Sequence, residues 1–369
     1  MNVFRRLVNW LRKIKTRIVL IISFLRHRKK YIDCESFYPE KEHKSKREIF
    51  WDFIKHIIKY GEIDGSYYVL GIDVKGVNYD DYLTYTQFID RICKLNRPQP
   101  LNYICLLRDK TLFAMIGKEW GMPVVSEVAH LSGGRITGLE NSSIIDLILE
   151  HKHLFIKPVD GQKGEDIFSL DFKDGELFSN GKKISIDEFV NYIEQLSKQK
   201  DFIVQKKLRQ HPLVSALHES SINTLRVVTI NHTHSSNPND VVLVGCELRV
   251  GCGDSFTDNI SAGGIKIEVN NEGKLCKYGF YRAPFGTKTL QHPDSGIVFE
   301  NYPLPFYSEI IDLCKSFHAK LKGIHLIGWD VAITDKGPVF IEGNDTCGTD
   351  FQVMRGPMKD YYNKYLPAK

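Results

Sequence analysis

The chain has 369 residues, 42% apolar and 26% charged, an ordinary globular profile with room for two or three domains. Its net charge of +5 sits at one end: residues 1–30 hold ten Lys/Arg and no Asp/Glu, leaving 40 basic against 45 acidic residues in the remaining 339. A nucleic-acid enzyme spreads basic residues over its body, so that class is excluded. Eight cysteines without a CxxC pair signal neither a disulfide framework nor a zinc site, and a reducing cytosol is the expected setting.

Within residues 1–30, Phe4, Leu7, Val8, Leu11, Ile14, Ile18, Ile21, Ile22 and Leu25 recur at steps of three and four, with Arg5, Arg6, Arg12, Lys13 and Arg17 mostly off that face. The pattern predicts a basic amphipathic helix. Its apolar run over 18–25 falls far short of the roughly 20 residues a spanning helix needs. Arg26-His27-Arg28-Lys29-Lys30 follows, where a signal peptide would carry a small-residue cleavage site. The expectation is peripheral attachment to an anionic membrane surface on the cytoplasmic side. The alternative is a helix docked on its own protein body or on a partner.

A charged linker over 40–48 precedes helical periodicity at 49–60 and 85–95, with a strand-like stretch, Tyr67-Tyr68-Val69-Leu70-Gly71, between them. Residues 110–120 predict another helix, stopped at Gly121-Met122-Pro123. Strand patterns then dominate at 154–159, 166–172, 202–208, 224–230, 241–250 and 264–269, followed by a helix at 306–322 and strands at 326–333 and 338–342. A helix-rich start followed by mostly strands predicts α+β domains with antiparallel sheets.

Two segments carry chemistry. In the first, a strand ends Phe155-Ile156-Lys157-Pro158 and runs into Val159-Asp160-Gly161-Gln162-Lys163-Gly164. Such a loop can fold backbone N–H groups over phosphates while the lysine neutralises them, although a plain hairpin with a solvated lysine has the same sequence, and no GxxxxGK[ST] P-loop occurs. In the second, Gly328-Trp329-Asp330-Val331-Ala332-Ile333 turns back through Val339-Phe340-Ile341-Glu342-Gly343-Asn344. On adjacent strands Asp330, Glu342 and Asn344 can share one face, and carboxylates with an amide carbonyl suit Mg²⁺. Read alone, these acids could equally be solvated. The pairs His151/His153 and His232/His234 lack carboxylate or cysteine company, and Cys252 and Cys347 have no base placed beside them, so surface histidines and small packing residues are expected.

Taken in order, these segments resemble the ATP-grasp superfamily, and more closely its sugar-transfer-associated branch, over roughly residues 65–357. The matching points are Asp109-Lys110 heading a helix that ends in Gly121-Met122-Pro123, the 155–164 loop, Val204-Gln205, Ser221-Ile222-Asn223-Thr224-Leu225-Arg226, Asp258-Asn259 with Gly263-Gly264, and the 329–344 hairpin. The resemblance implies two α+β subdomains gripping ATP, preceded by a small incomplete domain and the basic helix. The expected segments are 1–30, 31–105, 106–205 and 206–369.

By the same resemblance Lys110 and Lys157 contact ATP phosphates, and Gly161 and Gly164 belong to a lid. Gln205, Lys206 and Leu208 belong to the adenine hinge, which carries Gln205-Lys206-Lys207 where many relatives have an acidic residue. Asp330, Glu342 and Asn344 hold Mg²⁺, and Arg226 and Arg249 stabilise the transferred phosphoryl group. The implied activity is an ATP-dependent carboxylate–amine ligase working through an acyl phosphate, with a sugar-linked substrate. A kinase acting on a hydroxyl and a non-catalytic nucleotide-binding scaffold of a glycan assembly complex are the alternatives.

Overall fold

The computed structural model describes residues 3–96, 103–137, 143–160, 166–282, 285–321, 323–348 and 350–367. Gly161 and Gly164, expected in the lid, lie outside the described residues. By its contacts the chain divides into two units, Met1–Phe88 with Gly348–Pro367, and Ile89–Cys347.

In the first unit the expected basic helix forms over Val3–Arg26 and rests on the helix Lys46–Tyr60. Ser45 caps the latter with a reciprocal box: its hydroxyl accepts from the Glu48 N–H while the Glu48 carboxylate accepts from the Ser45 N–H. Phe24 is fully buried among Tyr31, Phe50 and Phe53, and Phe53 packs in turn on Tyr67. No helix among the described residues is long and apolar enough to cross a membrane.

Tyr67-Tyr68-Val69-Leu70-Gly71 does not form the expected strand; it closes as successive turns, Leu70 N–H to Ser66 O and Ile72 N–H to Tyr67 O. The reason is aromatic burial: Tyr67 and Tyr68 both point inward, their hydroxyls donating to Asp52 and to the Ile32 carbonyl. Gly71 turns the chain at φ +70°, and a Cβ there would stand 2.9 Å from the Tyr38 ring.

The second unit contains two antiparallel sheets. The first comprises β1 (Glu127–Ser132), β2 (Arg135–Thr137), β3 (His153–Pro158), β4 (Phe168–Lys173), β5 (Glu176–Ser179), β6 (Lys182–Ile184) and β7 (Phe202–Lys206), in the order β2-β1-β7-β3-β4-β5-β6. Leu131, Leu154, Ile156 and Val204 pack its core against Leu147 and Ile148 of the helix Ile144–His151 and Phe189 and Ile193 of the helix Ile186–Ser197. The second sheet comprises β8 (Thr224–Ile230), β9 (Val242–Val250), β10 (Ile265–Val269), β11 (Leu275–Phe280), β12 (Lys288–Thr289), β13 (Leu326–Thr334) and β14 (Gly337–Asn344), in the order β12-β11-β10-β9-β8-β13-β14. Its core joins Trp329, Val331, Phe340 and Leu248 to Ile310 and Phe317 of the helix Tyr307–Lys320.

Asn96 ties the ends of the last two strands together. Fully buried, it donates to the carbonyls of Leu326 (3.0 Å) and Asp345 (2.7 Å) and accepts from the N–H groups of His325 (2.8 Å) and Leu326 (3.0 Å). Asn96→Ala leaves these backbone groups buried and unpaired. The expected cost is about 2–4 kcal/mol, read as a drop of roughly 5–15 °C in melting temperature. An unchanged melting temperature would show that the strand ends hold without it.

Candidate active site

Asp330 is placed by β13, whose alternation sends Trp329, Val331 and Ile333 to the core and Asp330 to the opposite face. The register pairs Asp330 with Glu342 but Val331 with Phe340, so Ile341 is an extra residue, a β-bulge. Without it, Glu342 would share the core face with Phe340. The bulge re-aims Glu342 beside Asp330, and Asn344, opposite Gly328, completes the set. The Asn344 Nδ2 lies 3.2 Å from Asp330 Oδ2 and 3.3 Å from Glu342 Oε1.

On the other side of β13, Arg226 of β8 pairs directly with Asp330. Its Nε donates to Oδ1 at 2.5 Å and its Nη2 to Oδ2 at 2.8 Å, and both side chains are buried. Burial alone would raise the Asp330 carboxyl, but the Arg226 and Arg249 guanidiniums outweigh it and hold it at about 2. Arg249 is held more loosely, with Nη1 3.5 Å from Asp330 Oδ2 and Nε 3.7 Å from Glu247 Oε1. The row continues across the sheet, with Glu247 of β9 opposite Arg226 and Lys266 of β10 opposite Arg249.

Two lysines join this set, one from the first sheet and one from a helix packed on β14. Lys157, near the end of β3, is buried, and its ammonium makes no hydrogen bond or ion pair among the described residues. Burial lowers its pKa to about 8, although Glu342, Glu127 and Asp330 act in the opposite sense. Lys110 is the first residue of the helix Lys110–Glu119, whose N-terminus Asp109 caps by accepting from the N–H groups of Thr111 and Leu112. Its Nζ is 3.4 Å from the Val159 carbonyl, and burial lowers its pKa against the pull of Glu342, Asp160 and Asp109.

Lys110, Lys157, Arg226, Arg249, Asp330, Glu342 and Asn344 line one cleft of about 1840 Å³, with Gln205, Lys206 and Leu208 at and beyond the end of β7. Gln205 is buried, Lys206 is exposed, and Phe155, Ile167, Val125 and Ile341 supply apolar lining near them. The structure thus brings Lys110, Lys157, Gln205, Lys206, Leu208, Arg226, Arg249, Asp330, Glu342 and Asn344 together. Three features of the site were not read from the sequence. Arg108 makes a two-pronged bond to Asp345, at 2.8 Å on each oxygen, which fixes the chain just past Asn344. Asp258 accepts from the N–H and hydroxyl of Thr224, and burial raises its pKa to about 6 against the pull of Arg249. Glu247 is buried beside Arg226 and Arg249. Arg108 and Asp345 directly adjoin matched motifs and Asp258 and Thr224 lie within them, so these positions carry a signal though not their pairing, whereas Glu247 carries none.

Asp330, Glu342 and Asn344 fit Mg²⁺: they are hard oxygen donors, and a flip of the Asn344 amide presents its oxygen where the nitrogen now lies. Among the described residues no group of three or more His, Cys, Asp or Glu is arranged to hold a metal. A set with only two carboxylates leaves coordination positions for phosphate oxygens and water. His153 pairs with Asp171, His232 and His234 are exposed, and burial pushes the Cys252 thiol up to about 12, away from nucleophilic use.

The sugar-transfer associated ATP-grasp family matches residues 92–358, and the chain belongs to that family. Among solved structures, the ATP-grasp ligase PsnB complexed with minimal precursor, Mg and ADP is similar at 14% identity over 74% of this chain and 62% of that one, with a TM-score of 0.37. D-alanine–D-alanine ligase from Bacillus anthracis complexed with ATP is similar at 13% identity over 66% and 56%, with a TM-score of 0.35. N5-carboxyaminoimidazole synthase from Aspergillus clavatus is similar at 10% identity over 67% and 46%, with a TM-score of 0.35. The chain therefore spans less than two thirds of the length of these structures. No curated protein matches it.

A buried ammonium whose pKa is depressed from 10.5 to about 8 destabilises the fold fully below pH 8, and the penalty fades as pH rises toward the unfolded value. Lys157→Met should therefore stabilise the ligand-free protein at pH 7, by about 1–3 kcal/mol, with the gain shrinking by pH 10. The same variant should bind ATP at least ~10-fold more weakly at pH 7, while the wild type loses ATP affinity as pH rises through 8. Thermal melts and nucleotide titrations across pH check both halves. A variant less stable than wild type at pH 7 would mean that the ammonium is already well paired.

Proposed function

We propose that the chain is an ATP-dependent carboxylate–amine ligase acting on a sugar-linked substrate. The observation that carries the reading is the gathering, in one cleft, of two buried lysines and a bulge-aligned Asp330, Glu342 and Asn344 set. Membership of the sugar-transfer associated ATP-grasp family supports ATP as co-substrate and motivates the sugar-linked acceptor.

In this reading Phe155, Ile167, Leu208 and Ile341 take the adenine ring, with Gln205 and Lys206 at its edge, and Lys110 and Lys157 pair with phosphate oxygens. Magnesium, held by Asp330, Glu342 and Asn344, would supply further neutralisation of phosphate charge. Arg226, with two donors committed to Asp330, fixes that carboxylate and keeps it ionised. Arg249, less tightly held, meets the phosphoryl group in transfer. The substrate carboxylate attacks the γ-phosphorus in line, ADP leaves, and the acyl phosphate forms. The amine then attacks the acyl carbon, phosphate leaves, and an amide results. Residues 1–30 are the part directed to an anionic membrane surface on the cytoplasmic side.

Trapping tests the order of events. Incubation with ATP, Mg²⁺ and a panel of uronic and amino acids, with hydroxylamine in place of the amine, should give a hydroxamate and equimolar ADP. Glu342→Gln should lower this yield by more than about 100-fold without loss of fold, whereas Asp330→Asn should lower it as far and also destabilise the protein, because it leaves the buried Arg226 without its counter-charge. A stable phosphate ester without hydroxamate would identify a hydroxyl kinase. Nucleotide binding with no substrate-dependent ADP release across the panel would favour a scaffold.

A further inference from the structure

The helix Val3–Arg26 is anchored along one side only. Phe24 is fully buried among Tyr31, Phe50 and Phe53, and Arg17, seven residues earlier and so on the same side, donates from Nε to the Ile58 carbonyl at 2.7 Å and from Nη2 to the Lys59 carbonyl at 3.4 Å. Leu7, Leu11, Ile18, Ile22 and Leu25 are spaced by four, seven, four and three residues, roughly a third of a turn away from that side, and are 41–53% exposed, while Trp10, a further seven residues before Arg17, is 58% exposed. The supporting helix adds exposed Trp51 and Ile58, seven residues apart, and Ile58 is the residue whose carbonyl Arg17 holds. This is an apolar face that the docked helix turns outward, of a size that isolated surface leucines do not explain.

Charge selects the occupant. Arg12 and Lys15 are exposed beside the apolar face and make no ion pair among the described residues, and Arg26, Arg28, Lys29 and Lys30 continue the basic run. A second copy of the chain would bring basic flank against basic flank in a two-fold contact, which is electrostatically unfavourable. An apolar stripe bordered by cations matches the boundary between acyl chains and anionic headgroups.

We propose that this face is a preassembled membrane-docking surface: the helix Val3–Arg26, already fixed to the protein through Phe24 and Arg17, lies in the plane of an anionic bilayer with Leu7, Leu11, Ile18, Ile22 and Leu25 in the acyl-chain boundary. The inference deepens the membrane reading above and is independent of the ligase chemistry. Point substitutions on the exposed face test it better than deletion of residues 1–30 would, because removing Phe24 opens the aromatic core it fills.

The experiment uses the full chain and sedimentation with vesicles of phosphatidylcholine, alone or equimolar with phosphatidylglycerol. The chain should pellet with the anionic vesicles, less so at high salt, and remain in solution with the neutral ones. Leu11→Glu/Ile18→Glu/Ile22→Glu should bind at least ~10-fold more weakly, with melting temperature and oligomeric state unchanged because these side chains are exposed. Brominated acyl chains should quench tryptophan fluorescence in the wild type and much less in Trp10→Phe/Trp51→Phe. Equal binding by the triple variant, no binding by the wild type, or a wild-type oligomer that the triple variant dissolves would each overturn the proposal, the last by identifying a second copy as the occupant.

Discussion

The ion pair between Arg226 and Asp330 is the constraint on which the site depends. Both groups are buried at the centre of a sheet, where an unpaired charge would cost several kcal/mol, so neither is tolerable without the other. The pair does more than stabilise. It keeps Asp330 ionised far below neutral pH and, by using two guanidinium donors on two carboxylate oxygens, fixes the plane of the carboxylate. Everything placed relative to Asp330 inherits that orientation: Glu342 through the strand register, Asn344 through its contacts to both carboxylates, and Arg249 through its approach to Oδ2.

A site of this kind is built against the grain of the sheet. Regular alternation would give β14 a core-facing residue at position 342, and the bulge at Ile341 breaks the alternation once, where the carboxylate has to cross to the cleft side. The irregularity is then pinned from outside. Arg108 holds Asp345, and Asn96 holds the Asp345 carbonyl together with the start of β13, so the hairpin is fixed at its open end by two side chains from the preceding helical region. A bulge left free to migrate along the strand would return Glu342 to the core face.

What the sequence made legible follows from locality. Asp330, Glu342 and Asn344 sit on one hairpin joined by a tight turn, so their nearness is legible from spacing, and Lys157 from its place at the end of an apolar strand; that Glu342 shares a face with Asp330 is not, since regular pairing from the turn puts Ile341 opposite Asp330. The bulge was not visible, because the pattern Phe340-Ile341-Glu342 does not say which residue the opposite strand skips. Nor was the Arg226 pairing with Asp330, which joins residues 104 apart through the order of strands. The strands β1, β2, β5, β6, β11 and β12 are not legible because they are short or interrupted by polar residues, and Tyr67-Tyr68-Val69-Leu70-Gly71 reads as a strand because aromatic content mimics β-propensity. Its turn is set by where Tyr67 and Tyr68 find partners for their hydroxyls, and those partners, Asp52 and Ile32, lie far away in the chain.

The two halves of the cleft also compensate one another. Lys157 of the first sheet and Lys110, at the head of a helix packed on β14, are both buried, and the charges that favour their protonated forms include Glu342 of the second sheet, with Asp330 contributing at Lys157. On the proposed reading, these are the same carboxylates that bind magnesium. A metal engaging Glu342 and Asp330 would withdraw counter-charge from the lysines, and the triphosphate that accompanies the metal would replace it. Binding either without the other leaves buried charge uncompensated, so the electrostatics favour joint entry of nucleotide and metal over sequential filling of two independent sites. The cost of keeping Lys157 protonated in the empty cleft is then the local instability that the incoming phosphates relieve.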